Sequence, residues 1–184
     1  MGNLKKEQAD KDNAEVRYWK GRTAEVQYHL DKYRLYLDAW GLGVTDPVDS
    51  VLEIGVGPLG GFLPMIEARR KVGLDPCISR YREAGVLREY GDVEYVDSHL
   101  EEFKTDEKFD RIITADAIDH GKLGFHSIPG IAKMLKPAGM LYVHVQMRSP
   151  QYRNSVHDHC LTLEQLDAAL AKTKLVELKR DVYV

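Results

Sequence analysis

A chain of 184 residues is long enough to bury a core without disulfide or metal staples. Its composition, 43% hydrophobic and 30% charged, is that of a globular domain, and a formal net charge of -3 gives no long-range pull toward phosphate backbones or anionic lipid. Neither nucleic acid nor a membrane is indicated as a partner.

Cys77 and Cys160 lie far apart and form no CxxC pair, which argues against a disulfide framework and a cysteine zinc site, so no metal is expected. The opening stretch from Met1 to Asp12 is polar, and no apolar run approaches the roughly eighteen residues of a membrane span. Lys6 stands where a myristoylation signal wants Ser or Thr. A reducing, cytoplasmic setting is the expectation.

From Ala14 to Trp40 the chain reads as helix, with Val26, Leu30, Tyr33, Leu37 and Trp40 at spacings of three and four, stopped by Gly41 and Gly43. Residues 1–45 are therefore expected to form a helical cap on the same domain as a 46–184 core. The cap aromatics Tyr18, Trp19, Tyr28, Tyr33, Tyr36 and Trp40 read either as packing or as a lid over a ligand. Beyond it, strands are predicted at Val51–Ile54, Lys71–Leu74, Val93–Val96, Phe109–Ala115, Met140–Gln146 and Leu175–Val184, with helices starting near Gly61, Ile78, His126 and Thr162. This alternation predicts one α/β domain over 1–184, a parallel sheet covered by helices on both faces.

Glu53-Ile54-Gly55-Val56-Gly57-Pro58-Leu59-Gly60-Gly61 falls where the first strand turns toward a helix, the point at which glycines let a ligand approach the backbone. Gly55, Gly57 and Gly60 satisfy the GxGxxG dinucleotide spacing, and Asp75 follows near the distance expected of a ribose-binding acid. Two residues favour another nucleoside. A carboxylate at Glu53 would repel a pyrophosphate but suits an ammonium-bearing ligand such as S-adenosylmethionine, and Pro58 removes one N–H from the loop. Asp75 reads as an acceptor of both ribose hydroxyls or as a helix cap, and Pro76 after it offers an apolar face to adenine. Asp97 and Ser98 end the third strand within reach of an adenine edge, Asp97 reading equally well as a cap.

Taken in order, VLEIGVGPLGG, VGLDP, VEYVDSHLEEF, FDRIITADAIDH and LKPAGMLYVHV resemble the class I S-adenosylmethionine-dependent methyltransferases, closely from Val51 to Val145 and more loosely beyond. The resemblance implies a Rossmann-like three-layer αβα sandwich, a mostly parallel sheet of six to seven strands, and S-adenosyl-L-methionine as cofactor. It implies that Glu53, Gly55 and Gly57 line the methionine half, that Asp75 binds the ribose, and that Asp97 and Ser98 meet the adenine. Asp116 would sit by the amino acid moiety and sulfonium. A small-molecule acceptor is implied by the Gly-Pro, Asp-Pro and Asp-His pairs. Asp116-Ala117-Ile118-Asp119 replaces the Asn/Asp-Pro-Pro-Tyr/Phe motif of amino-methylating nucleic-acid enzymes. The apolar stretch Leu175–Val184 is expected either to close a six-stranded variant or to pair with another chain, making a homo-oligomer through that sheet edge.

Methyl transfer from a sulfonium is an in-line displacement that needs positioning more than a dedicated nucleophile. His120, beside Asp119, is the candidate base for an acceptor's proton, or else a loop histidine closing a local hydrogen bond. His157 and His159 are candidates to face the acceptor; a two-ligand metal fragment and a solvated loop are the other readings. His144 reads as a sheet residue. The alternatives of another class are a non-methylating S-adenosylmethionine-binding protein and an NAD-binding one, regulatory or a partner subunit.

Overall fold

The computed structural model describes residues 2–42, 47–120, 124–147 and 161–182. The helix expected from Ala14 to Trp40 is two helices, α1 (Gly2–Lys20) and α2 (Val26–Trp40), parted after Lys20 by Gly21 and a 3-10 turn at Thr23–Glu25. Gly41 ends α2 in the left-handed conformation, at φ 68.

Five strands follow: β1 (Val48–Ile54), β2 (Ala68–Asp75), β3 (Glu94–Asp97), β4 (Phe109–Ala115) and β5 (Leu135–His144). They form one sheet in the order β3-β2-β1-β4-β5, with every pair parallel. Successive side chains point to opposite faces, so the alternation along each strand feeds two cores. Leu52, Ile54, Val72, Leu74 and Ile112 meet Ile128 and Ile131 of α4 (Ile128–Ala132) and Ala169 of α5 (Leu163–Leu170) on one face. Val51 and Ile113 meet Leu37 of α2, Phe62, Leu63 and Ile78 of α3 (Ile78–Glu83) on the other. The result is the expected αβα layering on an all-parallel sheet.

The strand count is smaller than expected, five among the described residues. Leu175–Val184 is no strand over the part described: residues 175–182 are irregular. Side chains hold this stretch, through Arg180 on Asp167 at 2.6 Å and Lys179 on the Ala39 carbonyl at 3.2 Å, while Val176 and Leu178 stay exposed. Without apolar burial its period-2 pattern has nothing to set a register. β5 starts five residues before Met140, because Arg111 pairs with Met140 while Phe109 pairs with Leu135, so Pro137, Ala138 and Gly139 bulge out of the ladder.

The helix expected from Gly61 is also missing, and β1 reaches β2 through turns and one 3-10 turn, Leu63–Met65. Gly60 and Gly61 adopt φ values of 79 and 55, which a right-handed helix cannot include. The remaining helices begin near their predicted starts, α5 with a capping box between Thr162 and Gln165.

Candidate functional site

β1 lies between β2 and β4, so the strand order reverses beside it, and the crevice beyond the carboxyl ends of β1 and β4 is the ligand position of such a sheet. From Gly55 to Pro58 the loop leaving β1 has each of its backbone donors tied down. Gly55 and Val56 N–H both donate to the Leu74 carbonyl, at 2.8 and 3.3 Å, and Gly57 N–H donates to Asp75 Oδ2 at 3.0 Å. Pro58 has no N–H. A side chain on Gly55 would run into Ala117, so glycine there lets the loops after β1 and β4 touch. A Cβ on Gly57 would meet nothing within 4 Å, which leaves open space above that backbone.

Glu53 is placed differently from expectation. Its buried carboxylate accepts the Phe62 N–H at 2.8 Å and fills the space beside Gly61, inside the loop and away from the cavity wall. Burial holds its carboxyl well above the usual carboxylate range, against the N–H bonds from Phe62 and Leu63. Asp97 is likewise off the wall: its Oδ2 accepts the Ser79 N–H at 3.0 Å in the first turn of α3, the capping alternative of the sequence reading.

The other predicted positions converge. Gly55, Gly57, Asp75, Pro76, Ser98, Asp116 and His120 all line one cavity of about 590 Å³ at the carboxyl ends of the strands, within the ~300–1,000 Å³ range of small-molecule sites. Asp75 is buried, its Oδ1 accepting the Cys77 N–H at 2.8 Å. Burial pushes its carboxyl up to about 7, against the N–H bonds from Cys77 and Gly57, and the nearby Glu15 and Asp12 carboxylates add to the rise. His120 Nε2 stands 3.8 Å from Asp119 Oδ2, an ion-pair distance. His157 and His159 lie outside the described residues.

Asp116, just past β4, sits at φ 50, rare for a residue with a side chain. Its N–H donates to the His144 carbonyl at 3.0 Å. Oδ1 is 2.9 Å from His144 Nδ1, and Oδ2 accepts from Lys32 Nζ at 2.9 Å. Burial pushes this carboxyl up, but the bonds from His144 and Lys32 outweigh it and bring it down to about 2. Sequence reasoning missed Lys32 and gave His144 only a structural role. The one available signal was the i, i+4 spacing of Lys32 and Tyr36 on α2, since Tyr36 stacks on His144 at 4.3 Å.

The cap supplies the roof. Tyr18 and Trp19 of α1 and His29 and Tyr33 of α2 line the cavity, so the aromatics serve as packing and cover together. Asp12 pins α1, its nearly buried carboxylate 2.7 Å from Arg80 Nη1 and 3.7 Å from His99 Nε2. Trp19 Nε1 donates to Glu15 Oε1 at 2.9 Å, and the Trp19 ring lies 4.7 Å from that of His29. Among the described residues no three metal-type ligands stand together, and no helix is long and apolar enough to cross a membrane.

Fold and site thus define a parallel α/β sheet with a crevice at the carboxyl ends of its central strands. No protein-family model and no curated protein matches the sequence. Solved structures match in fold. The N-methyltransferase NodS from Bradyrhizobium japonicum aligns at 17% identity and TM-score 0.56 over 82% of this chain and 84% of that one. A cyclopropane synthase from Mycobacterium tuberculosis aligns at 19% identity and TM-score 0.59, over 83% of this chain and 62% of that one. Phosphoethanolamine N-methyltransferase 2 of Haemonchus contortus, in complex with S-adenosyl-L-methionine, aligns at 21% identity and TM-score 0.58, over 78% and 36%. The chain spans less than two thirds of the length of the last two. It shares the Rossmann-like fold of the S-adenosylmethionine-dependent methyltransferases.

Proposed function

We propose that the protein is an S-adenosylmethionine-dependent methyltransferase acting on a small-molecule acceptor. One observation carries the reading: residues 55–58 offer a ligand no free backbone N–H and lead into a 3-10 turn, not a helix N-terminus. A dinucleotide pyrophosphate depends on both features. The loop offers instead open backbone at Gly57 beside a buried carboxylate acceptor, Asp75, and that pair fits a nucleoside with hydroxyls and no phosphate. S-adenosylmethionine is such a ligand, and it is the one bound to the Haemonchus contortus fold neighbour.

When bound, the cofactor supplies a sulfonium methyl group for in-line transfer. In this reading Asp75 takes the ribose hydroxyls and Pro76 gives adenine an apolar surface, with Ser98 at its edge. Asp116, fixed from two sides, is the carboxylate for an ammonium group. The roof of α1 and α2 excludes water and holds the acceptor, and such positioning accounts for most of the rate of a displacement that needs no enzymic nucleophile. His120 receives the proton of an oxygen or nitrogen acceptor, and Asp119 stabilises the charge it gains.

Calorimetric titration with S-adenosylmethionine, S-adenosylhomocysteine and NAD tests this. The expected result is micromolar binding of both adenosyl ligands, weakened about tenfold or more by Asp75→Ala, with no binding of NAD. Folded protein that binds neither adenosyl ligand would end the methyltransferase reading. Release of S-adenosylhomocysteine during an acceptor screen then separates an enzyme from a binding-only domain.

A further inference from the structure

The Asp116 carboxylate is placed by the core and engaged by the cap. Its backbone conformation and its bonds to His144 belong to the sheet, with Tyr36 of α2 stacked on the His144 ring, so its position does not depend on α1 or on the first turn of α2. Oδ2, by contrast, accepts from Lys32 Nζ, a group carried on the second turn of α2. Lys32 and Asp116 both line the cavity, and both side chains are 29% exposed, so a ligand can reach the contact. Tyr36, one turn further on, holds Lys32 in place with its ring centroid 5.5 Å from Nζ. The group seated on Oδ2 is therefore a primary ammonium, and it comes from the roof of the site.

We propose that Lys32 and a ligand ammonium compete for Asp116, so that an amino-acid-bearing ligand displaces Lys32 and loosens the first turns of α2. The proposal rests on the methyltransferase reading for the identity of the ligand and adds how the cap responds to it. Lys32 is a positioning residue here. One carboxylate oxygen facing the cavity accepts one ammonium well, and two cations on it repel each other. A partly exposed ion pair withholds no more than about two- to fivefold in affinity, which sets the size of the effect.

The test compares S-adenosylhomocysteine with 5′-methylthioadenosine, an adenosyl thioether without the amino acid half, on the full chain and on Lys32→Met. Lys32→Met is expected to tighten S-adenosylhomocysteine about two- to fivefold and to leave 5′-methylthioadenosine unchanged. In the unsubstituted protein, amides 26–33 are expected to exchange faster with S-adenosylhomocysteine bound than with 5′-methylthioadenosine bound, a readout that stands even if the variant does not fold. Weaker S-adenosylhomocysteine binding by Lys32→Met, parallel changes for both ligands, or equal exchange with either one would overturn the competition and leave the methyltransferase reading intact. Failure of both ligands to bind folded protein would remove that reading and this proposal together.

Discussion

The pH dependence of cofactor binding follows from Asp75. In the free protein burial keeps this carboxyl protonated up to about pH 7, whereas ribose hydroxyls donate to the ionised form. Binding therefore selects ionised Asp75, whose population is about 0.1 at pH 6 and about 0.9 at pH 8 for a group titrating near 7. Affinity for S-adenosylhomocysteine should rise about tenfold over that interval, about 1.4 kcal/mol, and level off above it. Folding responds with the opposite sign. A carboxyl whose folded pKa is raised destabilises the fold progressively as pH rises from its unfolded value of 3.8 to about 7, because the unfolded chain gives up the proton first. Calorimetry at pH 6, 7 and 8 in two buffers of different ionisation enthalpy reads both the affinity and the proton released, about half a proton per ligand at pH 7. Asp75→Asn should bind weakly at every pH, with a flat profile. An affinity for the unsubstituted protein that is flat or falls from pH 6 to 8 would refute the assignment of Asp75 to the ribose.

Gly61→Ala should destabilise the fold by about 2–4 kcal/mol in urea unfolding, since a Cβ at φ 55 lands in the Glu53 carboxylate; an unchanged midpoint would contradict the placement of Glu53. Glu53→Gln, which keeps one acceptor for the Phe62 N–H, should cost less and leave S-adenosylhomocysteine affinity within about twofold, because Glu53 is off the cavity wall. Asp12→Asn should speed amide exchange in residues 9–20 while core amides keep their protection, since it removes the Arg80 ion pair; equal exchange would show that this ion pair does not hold α1. Once an acceptor is known, His120→Ala should lower kcat by about a hundredfold or more with cofactor affinity unchanged, and a kcat within a few-fold would remove it as the base.

What the sequence made legible follows from where the information sits. Strand-end residues are fixed by the parallel sheet once its strands are found, so Gly55, Asp75, Ser98 and Asp116 come to one crevice as their positions in the chain suggest. Roles set by a side chain's direction were not legible. Glu53 and Asp75 both look like ligand carboxylates in sequence, yet Glu53 faces the loop from the strand side that meets Phe62, while Asp75 ends its strand beneath the cavity. The helix expected at Gly61 failed because two consecutive glycines are as ready for left-handed turns as for a helix start, and only the buried Glu53 carboxylate decides between them. Lys32 on Asp116 joins residues 84 apart in sequence, and its i, i+4 spacing with Tyr36 marks a shared helix face without pointing to Asp116.

The missing helix has a consequence for how the cap can move. In a doubly wound sheet the crossover from β1 to β2 covers one face with a helix, and here no helix does so. α2 takes that place: Leu37 is buried against the sheet face with Phe62 and Leu63, and Trp40 packs near Phe62 and Tyr142. The C-terminal half of α2 is therefore part of the core layer, and swinging it away would expose that apolar surface to water. The N-terminal half carries Lys32 and contacts the site mainly through polar and aromatic groups. Motion that admits a ligand is therefore expected in α1 and the first turns of α2, with the buried segment around Leu37 staying in place. A disulfide or bulky substitution near Leu37 should thus change stability without changing ligand entry, whereas restraint of α1 on α3, where Asp12 meets Arg80, should slow association and dissociation together.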